Sequence, residues 1–176
     1  MDIAYFATGN PMTQFFTPYH GTVLLAWLDY NQHMNVAYYT LAFDHAMDAA
    51  FEEWQIGADY CKDQQRSLFA VEQHIVYDRE LLADAAFEVI TYPVSVTPKK
   101  LHLITAMRHR EDGYLAATQE HLLIHVDMVA RRAVPWSDDV YQRLIKNCAA
   151  YDAVKQNDDL WQTHLAPRLN RAILKK

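Results

Sequence analysis

The apolar residues between positions 36 and 54 recur at steps of three and four, a spacing that lines one face of an α-helix. The positions on this face are Val36, Tyr39, Phe43, Met47, Ala50 and Trp54. Asn35 precedes the pattern and is a favourable N-cap residue, and Gly57 follows it as a C-terminal stop. We therefore predict one long helix from Val36 to the region of Trp54.

Five other segments are typical of β-strands. The first is rich in Val, Leu and Trp, and in the rest apolar and polar residues tend to alternate. They are His20–Asp29, Phe69–Asp78, Phe87–Val96, Leu101–Arg110 and Tyr114–Met128. Pro93 predicts a bend, because proline cannot donate a ladder hydrogen bond. The stretch E-D-G at 111–113 predicts a hairpin. One helix against an antiparallel sheet of about five strands is an α+β arrangement.

A second helical pattern begins after Pro135. Ser137 can cap a helix that starts at Asp138, and a last segment contains Trp161 and Leu165. The residues expected to face inward are Val140, Leu144 and Cys148. We therefore divide the chain into one domain at 1–136 and a C-terminal helical extension at 137–176, packed on that domain.

Composition and charge argue against several classes of protein. A length of 176 residues, 51% of them hydrophobic, suits one globular domain. The net charge of −6 argues against a nucleic-acid groove. No stretch approaches the ~20 apolar residues that cross a bilayer, and the N-terminus does not resemble a signal peptide. The two cysteines lack metal-site spacing, so we expect reduced thiols in the cytoplasm.

Three polar side chains lie where the first strand meets the long helix, in the stretch W-L-D-Y-N-Q-H-M-N. Free N–H groups at a helix start carry partial positive charge and can hold a carbonyl or an oxyanion. Asp29 could attack such a carbonyl or activate a water. Asn31 could orient the water or the carboxylate, and His33 could donate a hydrogen bond or transfer a proton. A simple capping turn is the alternative interpretation.

Histidines and carboxylates also alternate along two predicted strands. They are Glu72, His74 and Asp78 in one, and His121, His125 and Asp127 in the other. Neither set forms a compact ligand motif, so we predict no metal site. We expect the histidines to lie on the sheet face turned away from the long helix, beneath a second layer.

The order of the predicted elements resembles the hot-dog fold of acyl-CoA and acyl-carrier-protein thioesterases. A strand is followed by the motif D-x-N-x-H-x-N, a long helix and four strands. D-Y-N-Q-H-M-N is similar to the motif of plant-type acyl-carrier-protein thioesterases and to the aspartate loop of 4-hydroxybenzoyl-CoA thioesterases. Three later segments resemble betainyl-CoA thioesterases, the partners of carnitine dehydrogenases. They are F-A-V-E-Q-H-I-V-Y, K-K-L-H-L-I and Y-L-A-A-T-Q-E-H-L-L-I-H-V-D. The resemblance covers Gly21–Trp136.

The resemblance implies an antiparallel sheet wrapped around the long central helix, and it implies a set of site residues. The catalytic residues are Asp29, Asn31 and His33, and the substrate-binding residues are Asn35, Val36, Tyr39 and Glu72. Asp29 is then the nucleophile or general base, the N–H of Val36 polarises the thioester carbonyl, and Glu72 is the second carboxylate. Gln32 replaces a glycine common in the 4-hydroxybenzoyl type, which argues against that substrate.

The expected function is therefore hydrolysis of a short acyl-CoA, with betainyl-CoA as a candidate, without metal or redox cofactor. An uncovered sheet edge predicts a homodimer or a dimer of dimers. Aromatic residues near the site could bind a quaternary ammonium group by cation–π attraction. They are Trp27, Tyr30, Tyr38, Tyr39, Trp54 and Tyr60. A hot-dog hydratase acting on an enoyl thioester and a non-catalytic acyl-CoA-binding protein remain alternatives.

Overall fold

The computed structural model describes residues 16–155 together with residues 162 and 165. The helices and strands in these residues follow one another in a simple order. They are β1 (Tyr19–Thr22), α1 (Val36–Glu53), α2 (Ala58–Gln64), β2 (Arg66–Tyr77), β3 (Ala86–Val96), β4 (Lys100–His109), β5 (Leu115–Asp127), β6 (Arg132–Ala133) and α3 (Asp138–Lys155). A short 3-10 turn, Leu25–Trp27, follows β1.

The strands form a single curled antiparallel sheet in the order β1-β3-β4-β5-β2, and the two-residue β6 pairs with β5. Helix α1 contacts β1, β3 and β4. The expected hot-dog arrangement, a sheet around one long helix, is confirmed. The predicted hairpin after β4 is also confirmed, because Gly113 has φ 71° and its N–H donates to the carbonyl of His109.

Helix α1 begins and buries its apolar face as the sequence predicts. The side chain of Asn35 accepts a hydrogen bond from the N–H of Ala37 and caps the first turn. The buried residues are Tyr39, Ala42, Phe43, Ala46, Met47 and Ala50. Each large apolar side chain among them contributes about 1.5–3 kcal/mol when fully buried. Val36 is 59% exposed and does not belong to this face.

Two predicted boundaries are wrong. The first strand ends at Thr22, whose partner Ala86 is the first residue of β3. Val23 still bonds through its backbone to Ala85 and Asp84. The following residues up to Asp29 form the 3-10 turn and a loop. Gly57 does not terminate α1, which ends at Glu53; Gly57 is the N-cap of the short helix α2. We did not predict α2 from the sequence.

The orientation of β5 also differs from the prediction. Leu123 lies beside Met47 and Asp44 of α1, so the side chains two residues away along β5, including His121, face the helix as well. The histidines are therefore divided between the two sheet faces. His102 and Glu120 lie on the opposite face, where both are buried and the Nε2 and Oε1 atoms are 2.7 Å apart.

Helix α3 packs against β3. It begins at Asp138 as predicted, and Val140, Leu144 and Cys148 are buried. Leu165 is also buried and joins the same apolar cluster, whereas the predicted segment around Trp161 otherwise lies outside the described residues. No helix in the described part of the chain is both long and apolar enough to cross a membrane.

Candidate active site

The loop before α1 is held in one conformation by its own backbone. The N–H of Asp29 donates to the carbonyl of His33 at 3.0 Å, and the N–H of Gln32 donates to the carbonyl of Asp29 at 3.0 Å. Gln32 adopts a left-handed conformation with φ 65°. The N–H of Asn35 donates to the carbonyl of Trp27 at 2.9 Å, which ties the end of the loop to the turn after β1. The loop therefore presents its side chains in a fixed arrangement.

The carboxylate of Asp29 is held inside this loop rather than released to solvent. Its Oδ1 atom accepts a hydrogen bond from the N–H of Asn31 at 2.7 Å. Its Oδ2 atom lies 3.4 Å from Nε2 of His33, and the side chain is only 17% exposed. The backbone N–H of Asn31 thus orients the carboxylate of Asp29, and Asn31 itself is exposed.

A second carboxylate reaches the imidazole from the opposite side. Oε2 of Glu80 lies 2.7 Å from Nδ1 of His33. Glu80 follows the end of β2, and two contacts bring it here: the N–H of Met34 donates to the carbonyl of Leu81, and His33 forms an isolated bridge with Leu82. The three side chains form a row of carboxylate, imidazole and carboxylate.

The row favours a charged imidazole. The hydrogen bond from His33 to Glu80 raises the pKa of His33 above its usual value, and the charge of Asp29 adds to this effect against the opposing desolvation. In the protonated ring both nitrogens are donors, one toward each carboxylate. His33 can therefore position Asp29 and hold a proton beside the reacting atoms.

The start of α1 lies next to this row. The first N–H groups of a helix have no intrahelical partner; that of Ala37 is capped by Asn35, while Val36 is exposed. Val36 and His33 line a cavity of about 190 Å³. Its other lining residues are Met34, Tyr39, Tyr77, Asp78, Arg79 and Glu80. A carbonyl in this cavity could meet the amides at the start of α1. Asp29 does not line the cavity itself and lies behind His33, which does.

The structure brings most of the predicted site residues together, namely Asp29, Asn31, His33, Asn35, Val36 and Tyr39. Glu72 lies elsewhere, on the face of β2 opposite to Tyr77, paired in register with Leu122. The carboxylate that lies beside His33, in addition to that of Asp29, belongs to Glu80. The sequence signal for Glu80 was weak, because D-R-E after a strand is typical of any polar turn.

Among the described residues, no group of three or more His, Cys, Asp or Glu side chains is placed to hold a metal ion. The arrangement provides a carboxylate as nucleophile or base, an imidazole to orient it and helix amides to polarise a carbonyl. This set of groups suits attack on an activated acyl compound.

Comparison with known proteins agrees with this chemistry. The profile of a family described as the thioesterase-like superfamily matches residues 23–144. The chain belongs to the thioesterase-like superfamily. This thioesterase is 31% identical over 143 residues to the betainyl-CoA thioesterase of Pseudomonas aeruginosa, and the match covers 81% of this chain and 90% of that protein. The expected activity class, acyl-CoA thioester hydrolysis, is confirmed.

Other relatives and solved structures extend the comparison. The chain is 38% identical over 108 residues to an L-carnitine dehydrogenase/betainyl-CoA thioesterase of Agrobacterium fabrum; the match covers 61% of this chain but only 22% of that longer protein. A Staphylococcus aureus protein solved in complex with CoA superposes with a TM-score of 0.72 at 23% identity, covering 77% of this chain and 85% of that one. The Staphylococcus aureus DHNA-CoA thioesterase superposes with a TM-score of 0.69 at 12% identity, with 78% and 93% covered. Both similarities show the fold.

Proposed function

We propose that this thioesterase hydrolyses a short acyl-CoA, with betainyl-CoA as the preferred substrate, to the free acid and coenzyme A. The names of the relatives at 31% and 38% identity support this substrate. The observation that carries the catalytic part is the row formed by Asp29, His33 and Glu80 beside the start of α1. A role in carnitine or betaine metabolism follows from the same substrate.

In the proposed reaction the thioester carbonyl lies against the N–H of Val36, which stabilises the negative charge that develops on its oxygen. Asp29 either attacks the carbonyl carbon directly or takes a proton from a water that attacks it. The carbon–sulfur bond then breaks, and coenzyme A leaves as a thiolate that gains the proton released by the water. After direct attack the acyl group is held on Asp29 as an anhydride, and water hydrolyses this anhydride to the free acid and restores the carboxylate. His33 holds the carboxylate of Asp29 in place throughout. We propose no cofactor, because the thioester is already activated.

We further propose that the enzyme is a cytoplasmic homodimer, or a dimer of dimers, joined through β2. This strand lies at one end of the sheet order, and it carries Val71 at 55% exposure. The free thiols of Cys61 and Cys148 support a reducing compartment. Light scattering should give two or four times the mass of one chain, and Val71→Lys should lower that mass; a monomeric wild type would contradict the proposed assembly.

Substitution of Asp29 by Asn tests the catalytic assignment. Because the amide can neither attack nor accept the proton, kcat for betainyl-CoA should fall by about 10²–10⁴-fold, measured as release of free thiol. Asp112→Asn is the matched control, since its side chain is 66% exposed in the hairpin after β4. Equal turnover of every acyl-CoA by wild type and Asp29→Asn would refute the assignment.

The same assay separates the two alternatives. A hydratase would remove the absorbance of an enoyl-CoA without releasing thiol, and a binding protein would retain an acyl-CoA unchanged. The pairing of Asp29 with His33, in the loop that leads into α1, favours hydrolysis, because a carboxylate and helix amides act on a carbonyl rather than on a remote double bond.

A further inference from the structure

We propose that the corner between the rings of Tyr39 and Tyr77 binds the cationic head of the acyl group and selects quaternary ammonium acyl-CoA over neutral acyl-CoA of the same shape. This inference rests on the proposed function, because it assigns a subsite for the acyl group of that substrate.

The two rings line the cavity that opens at the catalytic row. Their centroids are 5.2 Å apart and their planes meet at 80°. His33 and Val36 line the same cavity. A thioester whose carbonyl lies at the start of α1 therefore has its short acyl group beside the rings, since the cavity of about 190 Å³ leaves room for a small group only.

The corner is rigid on one side and accessible on the other. Tyr39 is 4% exposed, and its hydroxyl accepts a hydrogen bond from the N–H of Leu81 at 3.1 Å. Tyr77 is the last residue of β2 and is 47% exposed. A fixed ring beside an accessible ring gives a cation an aromatic surface without reordering the protein, and a quaternary ammonium is attracted to such surfaces.

The remaining aromatic residues near the site are less suitable. Trp27 and Tyr38 stack on each other at 5.1 Å with an interplanar angle of 10°, so each ring covers one face of the other. Tyr30 is 91% exposed. Trp54 and Tyr60 do not line the cavity. Of the six aromatic residues predicted from the sequence, only Tyr39 does, and Tyr77 was not among them.

The charges of the cavity wall largely offset one another, because the imidazole of His33 and the guanidinium of Arg79 line it together with two carboxylates. The carboxylates of Asp78 and Glu80 belong to the cavity wall. The guanidinium of Arg79 lies 4.0 Å from the centroid of the Tyr114 ring, which directs its charge toward that ring. A neutral acyl group of equal size would fill the same space but would not gain the cation–π attraction of the two rings.

The test compares kcat/KM for betainyl-CoA with kcat/KM for tert-butylacetyl-CoA, in which a carbon replaces the quaternary nitrogen. Wild type should prefer the cation, and Tyr77→Leu should lower this preference by about 2- to 30-fold, because the aromatic face is lost. Tyr77→Phe keeps the ring and should keep the preference. Tyr38→Leu is the matched control, since that ring does not line the cavity, and it should also keep the preference.

The outcomes separate this inference from the proposed function. Thiol release from both substrates at equal kcat/KM in wild type would overturn the cation subsite and leave the thioesterase intact. An unchanged preference in folded Tyr77→Leu would overturn it as well. Absence of thiol release from any acyl-CoA by wild type would instead refute the proposed function itself.

Discussion

The histidine at position 121 should make the fold sensitive to acid. His121 is 2% exposed, lies on the face of β5 that is turned toward α1, and has no hydrogen-bond partner on either ring nitrogen among the described residues. Burial lowers the pKa of His121 to about 4. The native protein therefore excludes a proton that the unfolded chain accepts at moderately acid pH. His121→Leu removes this titrating group while keeping the position apolar and of comparable size.

The size of the effect follows from the two pKa values. In the unfolded chain the imidazole titrates near its ordinary pKa of about 6.5, and in the native chain the pKa is about 4. Because the unfolded state binds more protons between these values, stability falls as the pH falls through this window. At about 1.4 kcal/mol for each unit, the penalty is close to zero at pH 7, about 2 kcal/mol at pH 5 and about 3 kcal/mol near pH 4.

Urea unfolding of wild type and His121→Leu at several pH values measures this penalty. The difference in the free energy of unfolding between the two proteins should move by about 2 kcal/mol in favour of the variant from pH 7 to pH 5. Comparison at each pH cancels the other titrating groups and the packing change. His20→Leu, at an exposed position of β1, is the control. Parallel pH profiles for wild type and His121→Leu would refute the assignment.

Two further predictions concern Glu80 and Tyr60. Glu80→Gln should lower the pKa of His33 toward its ordinary value, since the hydrogen bond to Glu80 is the main cause of the raised pKa. The contribution of this pair to stability is full at low pH and is lost as the pH rises through the raised pKa. An NMR titration that leaves the pKa of His33 unchanged in the variant would disprove this prediction. The Tyr60 hydroxyl donates to Nε2 of His125 at 2.9 Å, because Nδ1 of that ring donates to the carbonyl of Val134. Tyr60→Phe should therefore cost about 1–3 kcal/mol in thermal unfolding, and an unchanged melting temperature would contradict this role.

The parts of the fold that depend on local periodicity could be predicted from the sequence. The apolar spacing and Asn35 located the start of α1, and alternation with E-D-G located β4 and β5. Where contacts between distant parts of the chain determine the structure, the prediction from the sequence was wrong or incomplete. The apolar residues Leu24, Leu25, Ala26 and Trp27 are typical of a strand in sequence, yet they lie beyond the residues that pair with β3 and enter the 3-10 turn. The register of β2 shifts between Ala70 and Glu72, and no local pattern reveals such a bulge.

The active site shows the same division. Asp29, Asn31 and His33 lie in one loop, so their proximity can be inferred from their spacing alone. Glu80 is 47 residues from His33, and Tyr77 is similarly distant from Tyr39. Such pairs depend on how far each element travels before the chain returns, which neither composition nor alternation specifies.

The lengths of α1 and β2 explain why the chain returns to the catalytic loop. Helix α1 has 18 residues and advances ~27 Å away from the loop, at about 1.5 Å for each residue. Strand β2 has 12 residues and returns ~40 Å, at about 3.3 Å for each residue. The short helix α2 connects the two. Because β2 is longer than α1, the end of β2 lies at the level of His33, and Tyr77 lines the same cavity as His33. Tyr77 lies at the end of β2 and Glu80 lies just beyond it, so both reach the cavity. Shortening β2 should therefore displace both residues from the cavity.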